Sequence, residues 1–399
     1  MDDDDTAVPA HNKNEDIQQA CETRSVERLR EYARSEGGLL DDELRRRAWP
    51  ILLACDTSDD DSAVASKELP EHRDEGQVQL DVDRSFVYYP EAETESKKDF
   101  RKQELSQVIT TVLRRHPMLH YFQGYHDIVQ VLLLVLGVDA ATSAAARLSL
   151  LRIRDFMLPT MAGTEPHLRL LPAILYASDP TLATHLSQTQ PFFALPATLT
   201  LYAHEIEEYG SIARLFDFLL ASEAVVSVYL FAAVIRSRKS SLLDIEADEP
   251  EMLHSVLSKL PRPLNLEALI DDTVFLFEKY PPERLPGRSW ARISSNSVLK
   301  TTRKFDEVAQ QTLQDGERFF AKEAAELQRQ AVMQQRLQKY RTLARRYKRP
   351  AALTSIAMLV AIAAMLLRNH PLPDTLTGSS TIFLGLQRRI VEFWQQTMG

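Results

Sequence analysis

Glycine is scarce in this chain: 12 of 399 residues, about 3% against a usual ~7%. Sandwiches, barrels and nucleotide-binding folds built on glycine-rich turns need more, so the scarcity points to helices joined by short connections. The periodicity agrees. Leu105, Val108, Ile109, Val112 and Leu113 follow the i, i+3, i+4, i+7 rule within a helix expected from about 95 to Pro117. The apolar run 128–137 reads as a buried helix, and further helices are expected at roughly 140–158, 179–188, 195–209, 211–220, 223–236, 250–259 and 266–279. No period of 20–50 residues repeats, which argues against a solenoid. Apolar residues at 44% suffice for a sizeable core, and the length allows two or three domains, or one large domain with tails.

A net charge of −9 argues against general nucleic-acid binding, which needs a basic footprint. Cys21 and Cys55 are far apart and form no CxxC. That excludes a disulfide framework and a thiolate zinc site, and suits a reducing compartment. The start, MDDDDTAVPAHNKNED, is acidic and is neither a signal peptide nor an Arg-rich transit peptide. Residues 1–35 are expected to be disordered or loosely helical. Leu44, Ala48, Ile51, Leu52 and Cys55 make one helical stripe, which Pro50 bends or restarts. Residues 56–77 read as an acidic, mobile surface loop.

The last hundred residues change character. Residues 303–349 read as one long helix, and from Leu327 to Arg349 it carries eight basic residues and no acid. Ala351–Leu367 is then uncharged. Its 17 residues span about 25 Å at ~1.5 Å each, the short end of what crosses a bilayer. A buried helix of a soluble core is the alternative, but the one-sided basic flank is what the positive-inside rule predicts for a span. Residues 1–349 then face the cytosol, and so short a span suits the thin ER membrane. In the 368–399 tail, Phe383, Leu386, Ile390, Phe393 and Trp394 form an amphipathic stretch beside Arg388 and Arg389, expected at the interface. A re-entrant hairpin returning the C-terminus to the cytosol is the other arrangement.

Walker A, GxGxxG and GxSxG signatures are all absent. The HEIEE at His204 resembles a zincin helix but has Glu208 where the second histidine should stand, so it reads as structural. His116, His120 and His126 cluster in sequence, but Pro117 breaks the helix that would present the first two together, and no metal site is expected. Two polar constellations remain. VQLDVDR spaces Val78, Asp81 and Arg84 by threes; by spacing alone it reads as a short strand or turn with surface charges. HYFQGYHDI places Tyr121, Gln123, Gly124 and Asp127 between apolar helices, and alone reads as an interhelical turn bent at the glycine.

Together, LRRRAWPILL, VQLDVDR, a helix and YFQGYHDI resemble the TBC-domain family of Rab GTPase-activating proteins. That family carries R-x-x-x-W, IxxDxxR and YxQ motifs in this order and at similar separations. Here they are Arg45 with Trp49; Val78, Asp81 and Arg84; and Tyr121 with Gln123. RLFDFLL, Arg214–Leu220, also looks like a family element. The wording of the YxQ segment, with the basic helix and C-terminal anchor, resembles the ER-anchored, member-20-like branch. Val78 stands in for Ile, the acidic insertion lacks a counterpart, and FALPATLTLYAHEI lacks the family's tryptophan.

The resemblance implies an all-α TBC domain of many short helices over 36–300, a basic helical linker 301–349, a transmembrane helix 351–367 and a short tail. It implies a catalytic activator of a GTPase rather than a stand-alone hydrolase, serving ER-to-Golgi vesicle transport from the ER membrane with its catalytic domain in the cytosol. Arg84 would be the arginine finger, because a guanidinium is always charged and donates in a planar fork to the phosphoryl oxygens. Gln123 would replace the GTPase's own glutamine, because a carboxamide donates and accepts at once and so orients water. Asp81 would hold Arg84 or the Rab; Tyr121, Gly124, Tyr125 and Asp127 would shape the groove, with Arg45 and Trp49 as Rab-binding or supporting residues. No cofactor of its own is implied; GTP and Mg²⁺ come with the partner, a GTP-bound Rab. The rivals are a non-catalytic Rab-binding adaptor and a membrane tether on the same scaffold.

Overall fold

The computed structural model describes residues 11–55, 69–89 and 94–369, and among these the secondary structure is helical throughout, without strands. The helices in chain order are α1 His11–Glu22, α2 Val26–Arg34, α3 Asp42–Leu52, α4 Glu75–Val82, α5 Glu95–Arg115, α6 Tyr125–Leu136 and α7 Val138–Leu151. There follow α8 Glu165–Leu168, α9 Leu170–Ser178, α10 Pro180–His185, α11 Leu195–Leu199, α12 Tyr209–Leu220 and α13 Val226–Ser237. The last are α14 Lys239–Leu243, α15 Pro250–Leu257, α16 Leu266–Lys279, α17 Val298–Thr301, α18 Phe305–Ala309 and α19 Leu313–Asn369. The chain divides into a compact unit to Gln328 and a second unit from Arg329.

The core of the first unit is built around α5, α6 and α7, with α13 packed on α9 and α16. In α5 the five residues of the apolar stripe are fully buried, and Arg114 and Arg115 occupy the last turn, where cations suit the helix dipole. Helix α6 is apolar on nearly every side, as an element surrounded by others must be, and ends at Gly137 with φ 74°. Helix α3 starts at Asp41, whose carboxylate accepts from the Leu44 amide at 3.0 Å, and runs through Pro50 to Leu52 without restarting.

Four expectations need correction. Residues 11–34 are two packed helices, not a disordered lead: Ile17, Ala20, Leu29 and Ala33 are fully buried, a narrow apolar stripe hidden among charges. The acidic loop ends before 75, because α4 begins there; its residues 56–68, like residues 1–10, lie outside the described residues. A helix over 195–209 is replaced by short α11 and a turn in which Leu201 and Tyr202 take φ 48° and 67°. The single helix over 303–349 is instead α18, a break, and α19, whose start is fixed by Asp315 accepting from the Thr312 amide and hydroxyl at 3.0 and 2.9 Å. The first turns of α19 belong to the core. Phe320 is buried, Glu317 accepts from His116 Nδ1 at 2.8 Å, and Glu326 accepts from Ser294 and Asn296 at 2.6 and 2.8 Å.

From Arg329 to Thr342 the side chains of α19 are exposed, as are Met358, Leu359, Val360, Ile362 and Met365 further along. Among the described residues no helix is long and apolar enough to cross a membrane. Much of the 351–367 segment's side-chain content, and the 370–399 tail with its amphipathic stretch, lie outside the described residues.

Candidate functional site

VQLDVDR is helical, in and just beyond α4, rather than strand or turn. The spacing by threes turns Val78 and Asp81 inward, where they are buried, and leaves Leu80 outside. Arg84 follows the helix in a turn closed by its amide on the Asp81 carbonyl at 3.1 Å. Its side chain is 66% exposed. Nη2 donates to Asp81 Oδ1 at 2.7 Å and Nε to the Leu80 carbonyl at 3.2 Å. An arginine has five N–H donors in a planar fork, so the outer edge remains available to a partner.

The start of α4 is stitched to the loop that follows α5. Glu75 takes both Nε and Nη2 of Arg114, at 2.6 and 2.7 Å, and this bidentate bond holds its carboxyl below the usual range. Arg73 donates to the carbonyls of Pro117 and Leu119, each at 2.7 Å, and His72 Nε2 donates to Leu119 at 3.0 Å. Asp74 accepts from the Tyr121 amide at 2.9 Å. The two sequence constellations are therefore neighbours, and one side-chain bond joins them: the Tyr121 hydroxyl donates to Asp81 Oδ2 at 2.9 Å. Burial, then the charge of Asp81, push the Tyr121 hydroxyl well above its ordinary value, so its proton is always present to donate.

Two residues further on, Gln123 is exposed, and its carboxamide makes no hydrogen bond among the described residues. Its neighbours fix the backbone beneath it. Phe122 packs edge-on against Tyr125 and Phe156, with centroids 5.7 and 6.2 Å away. Tyr125 is fully buried, its hydroxyl 2.7 Å from Ser149 Oγ. Gly124 opens α6 at φ 101°, in the left-handed region, and a Cβ there would lie 2.5 Å from Thr200 Cγ2. Only glycine meets both conditions without a shift.

Arg45 and Trp49 are buried elsewhere in the core and touch no surface. Both serve Asp217, from the RLFDFLL segment: Arg45 donates through Nε and Nη2 at 3.1 Å, and Trp49 Nε1 donates at 2.8 Å. The Leu39 amide adds a bond at 3.0 Å. Burial raises the Asp217 carboxyl, while Arg45 and these donors draw it down. Arg214 of the same segment forks onto Glu267 at 2.7 and 2.9 Å. Arg45 and Trp49 are placed in this buried set as supports of the fold.

His126 and His204, set aside in the sequence, belong to the site. His204 sits on the 200–204 turn, strained at Leu201 and Tyr202, rather than on a helix, and its Nδ1 is 3.0 Å from Asp127 Oδ2. Asp127 Oδ1 lies 3.3 Å from His126 Nε2, and His126 Nδ1 is 3.2 Å from the Tyr121 hydroxyl. His204 is 77 positions from Asp127, a separation at which no local sequence pattern could have joined them. No group of histidine, cysteine and carboxylate side chains among the described residues is placed to hold a metal ion.

Residues 42–243 match the model of the Rab-GTPase-TBC domain. TBC1 domain family member 20 of Bos taurus is 37% identical over 291 residues, 72% of each chain. The protein of that name from Homo sapiens is 36% identical over 287 residues, 71% of each. GTPase-activating protein gyp10 of Schizosaccharomyces pombe is 34% identical over 295 residues, 73% of this chain and 78% of that one. Motif order, helical architecture and similarity along most of the chain agree, and the chain belongs to the Rab-GTPase-TBC domain family.

Proposed function

We propose that this protein accelerates GTP hydrolysis on a Rab-family GTPase by offering Arg84 and Gln123 to the bound nucleotide. One observation carries the reading: an exposed guanidinium and an exposed carboxamide stand on two segments that the Asp81–Tyr121 hydrogen bond ties together. Hydrolysis is limited by charge building on the phosphoryl oxygens and by the alignment of the attacking water. Arg84 answers the first need through the free edge of its fork, while Asp81 fixes the inner edge. Gln123 answers the second, since an amide donates and accepts together and does not titrate. An arginine supplied in trans contributes about 10³–10⁵ in rate. Nucleotide and Mg²⁺ arrive with the Rab, and neither residue forms a covalent bond to phosphate.

The relative named GTPase-activating protein gyp10 supports the activity, and the exposure of both fingers supports it over a purely adaptor role. We further propose that 351–367 anchors the chain in the ER membrane, with the basic 327–349 flank and the helical body in the cytosol, where it switches off Rabs of the early secretory pathway. The support is the uncharged run, its one-sided flank and the exposed apolar side chains along the same helix. Sharing a membrane with a lipidated Rab raises the effective concentration of each, so modest affinity suffices. The test is phosphate release from a panel of GTP-loaded Rabs mixed with the full chain. Stimulation of at least one is expected; a panel untouched at high protein concentration would return the protein to an adaptor or tether role. Carbonate-resistant membrane association, lost when the chain is cut after 349, tests the anchor.

A further inference from the structure

His204 stands at the end of a side-chain network that begins at Arg84. From the arginine inward, Asp81 accepts from Arg84, Gln77 and Tyr121 at 2.7, 3.1 and 2.9 Å. The Tyr121 oxygen is 3.2 Å from His126 Nδ1. His126 Nε2 is 3.3 Å from Asp127 Oδ1, and Asp127 Oδ2 is 3.0 Å from His204 Nδ1. Three separate parts of the chain, α4, the loop leading into α6, and the 200–204 turn, are joined by it. His204 is 62% exposed and Asp127 is only 16% exposed, so solvent reaches the network at its far end.

We propose that His204 is a positioning residue which, through Asp127 and His126, decides whether Tyr121 donates to Asp81 and thereby how Arg84 is held. The inference rests on the assignment of Arg84 as the arginine finger.

Proton bookkeeping gives the coupling. Tyr121 has one hydroxyl proton and two acceptors within reach, Asp81 Oδ2 and His126 Nδ1. Burial keeps the His126 imidazole below its ordinary value and therefore neutral near pH 7, with one N–H to place. If that proton is on Nδ1, it donates to the Tyr121 oxygen, and Tyr121 donates to Asp81. If it is on Nε2, it faces the Asp127 carboxylate 3.3 Å away and is held there by its charge, Nδ1 becomes an acceptor, and the Tyr121 proton turns away from Asp81. Asp127 chooses between the two. Paired with a charged His204 its carboxylate is largely neutralised and pulls weakly on Nε2–H; left alone it pulls strongly.

The hydrogen bond to Asp127 raises the His204 imidazole above its ordinary value. The charged pair is therefore complete in acid and is lost as pH rises through that raised value. The other groups near His204 are few. Glu205 on its own turn is pushed up by burial, Arg262 is paired with Glu207 at 2.5 Å, and the Tyr89 hydroxyl donates to the Ala203 carbonyl at 3.3 Å. From α4 and the turn after it, Asp81 and Arg84 act on His126.

The experiment is single-turnover phosphate release with the full chain at saturating concentration, on the GTP-loaded Rab it stimulates most, from about pH 6 to about pH 9. His204→Ala is expected to slow the maximal rate about three- to tenfold, the scale of one displaced hydrogen bond, with the half-saturating concentration unchanged. His204→Gln supplies Asp127 with a neutral donor and never the charge, so it should stay near the wild type's alkaline rate at every pH and lack the wild type's decline toward alkaline pH. Added to Arg84→Ala, His204→Ala should cost nothing further, because the group it positions is gone. His204→Ala within about twofold of wild type across the range would overturn the proposal, and so would an undiminished cost in the Arg84→Ala background. If Arg84→Ala itself leaves the rate intact, the assignment of the finger fails and takes the proposal with it. Matched melting curves separate these outcomes from misfolding.

Discussion

Asp217→Asn changes the charge at one buried point and almost none of the volume. Four N–H groups converge there, two from Arg45 and one each from Trp49 and Leu39, and the carboxylate is wholly buried. The Arg45 side chain is 7% exposed, and its other partner is Asp42, at 2.9 Å and about one-third exposed. Removing one member of a buried ion pair costs about 3–5 kcal/mol, chiefly by leaving the other charge uncompensated. The remaining amide oxygen still accepts from one or two donors, so the lower end, ~3 kcal/mol, applies. For a body of this size each kcal/mol moves the melting temperature by about 2–4 °C, giving a drop of roughly 6–12 °C. Circular dichroism melts of the full chain in mild detergent read this directly. A shift below about 2 °C would refute the reasoning, because Asp217 would then not be the partner that compensates Arg45. The paired replacement Asp217→Asn with Arg45→Met should melt closer to wild type than Asp217→Asn alone, since it leaves no orphaned buried cation and keeps an acceptor for Trp49 and Leu39.

Gly124→Ala forces a left-handed backbone onto a residue with a Cβ and drives that Cβ into Thr200, so Rab stimulation should fall sharply, and Thr200→Ser, which deletes the clashing methyl, should recover part of it. Phosphate release by the single and double variants checks this. Glu323→Gln should stabilise the body toward alkaline pH. The Glu323 carboxyl is pushed up to about 9 by burial first and the Asp155 charge second, so the folded state binds a proton that the unfolded state has shed. Stability then falls as pH rises from the ordinary carboxylate range toward about 9, and glutamine removes that decline; denaturant midpoints at acid, neutral and mildly alkaline pH measure it.

Long elements were legible in the sequence because their apolar faces are wide and regular, as in α5 and α16, the latter found over the residues expected. Elements with narrow faces were not. In α4 the alternation of Val78, Leu80 and Val82 imitates a strand, yet Val78 and Val82 are buried and Leu80 is 59% exposed. Helices α1 and α2 hide five buried small or aliphatic residues among charged ones. The start of α19 did carry a local signal, the Thr312-x-x-Asp315 cap, which marks a boundary inside the expected long helix. Arg84 and Gln123 were singled out by the order of the motifs and not by the chemistry of either segment. The bond between Asp81 and Tyr121 and the approach of His204 to Asp127 are tertiary facts, joining residues 40 and 77 positions apart.

The most direct test of the account is single-turnover GTP hydrolysis on a stimulated Rab by Arg84→Ala and Gln123→Ala, each at saturating concentration. Loss of about 10³-fold or more is expected for Arg84→Ala and a comparable loss for Gln123→Ala, both with Rab binding retained. Hydrolysis at the wild-type rate by either variant would contradict it.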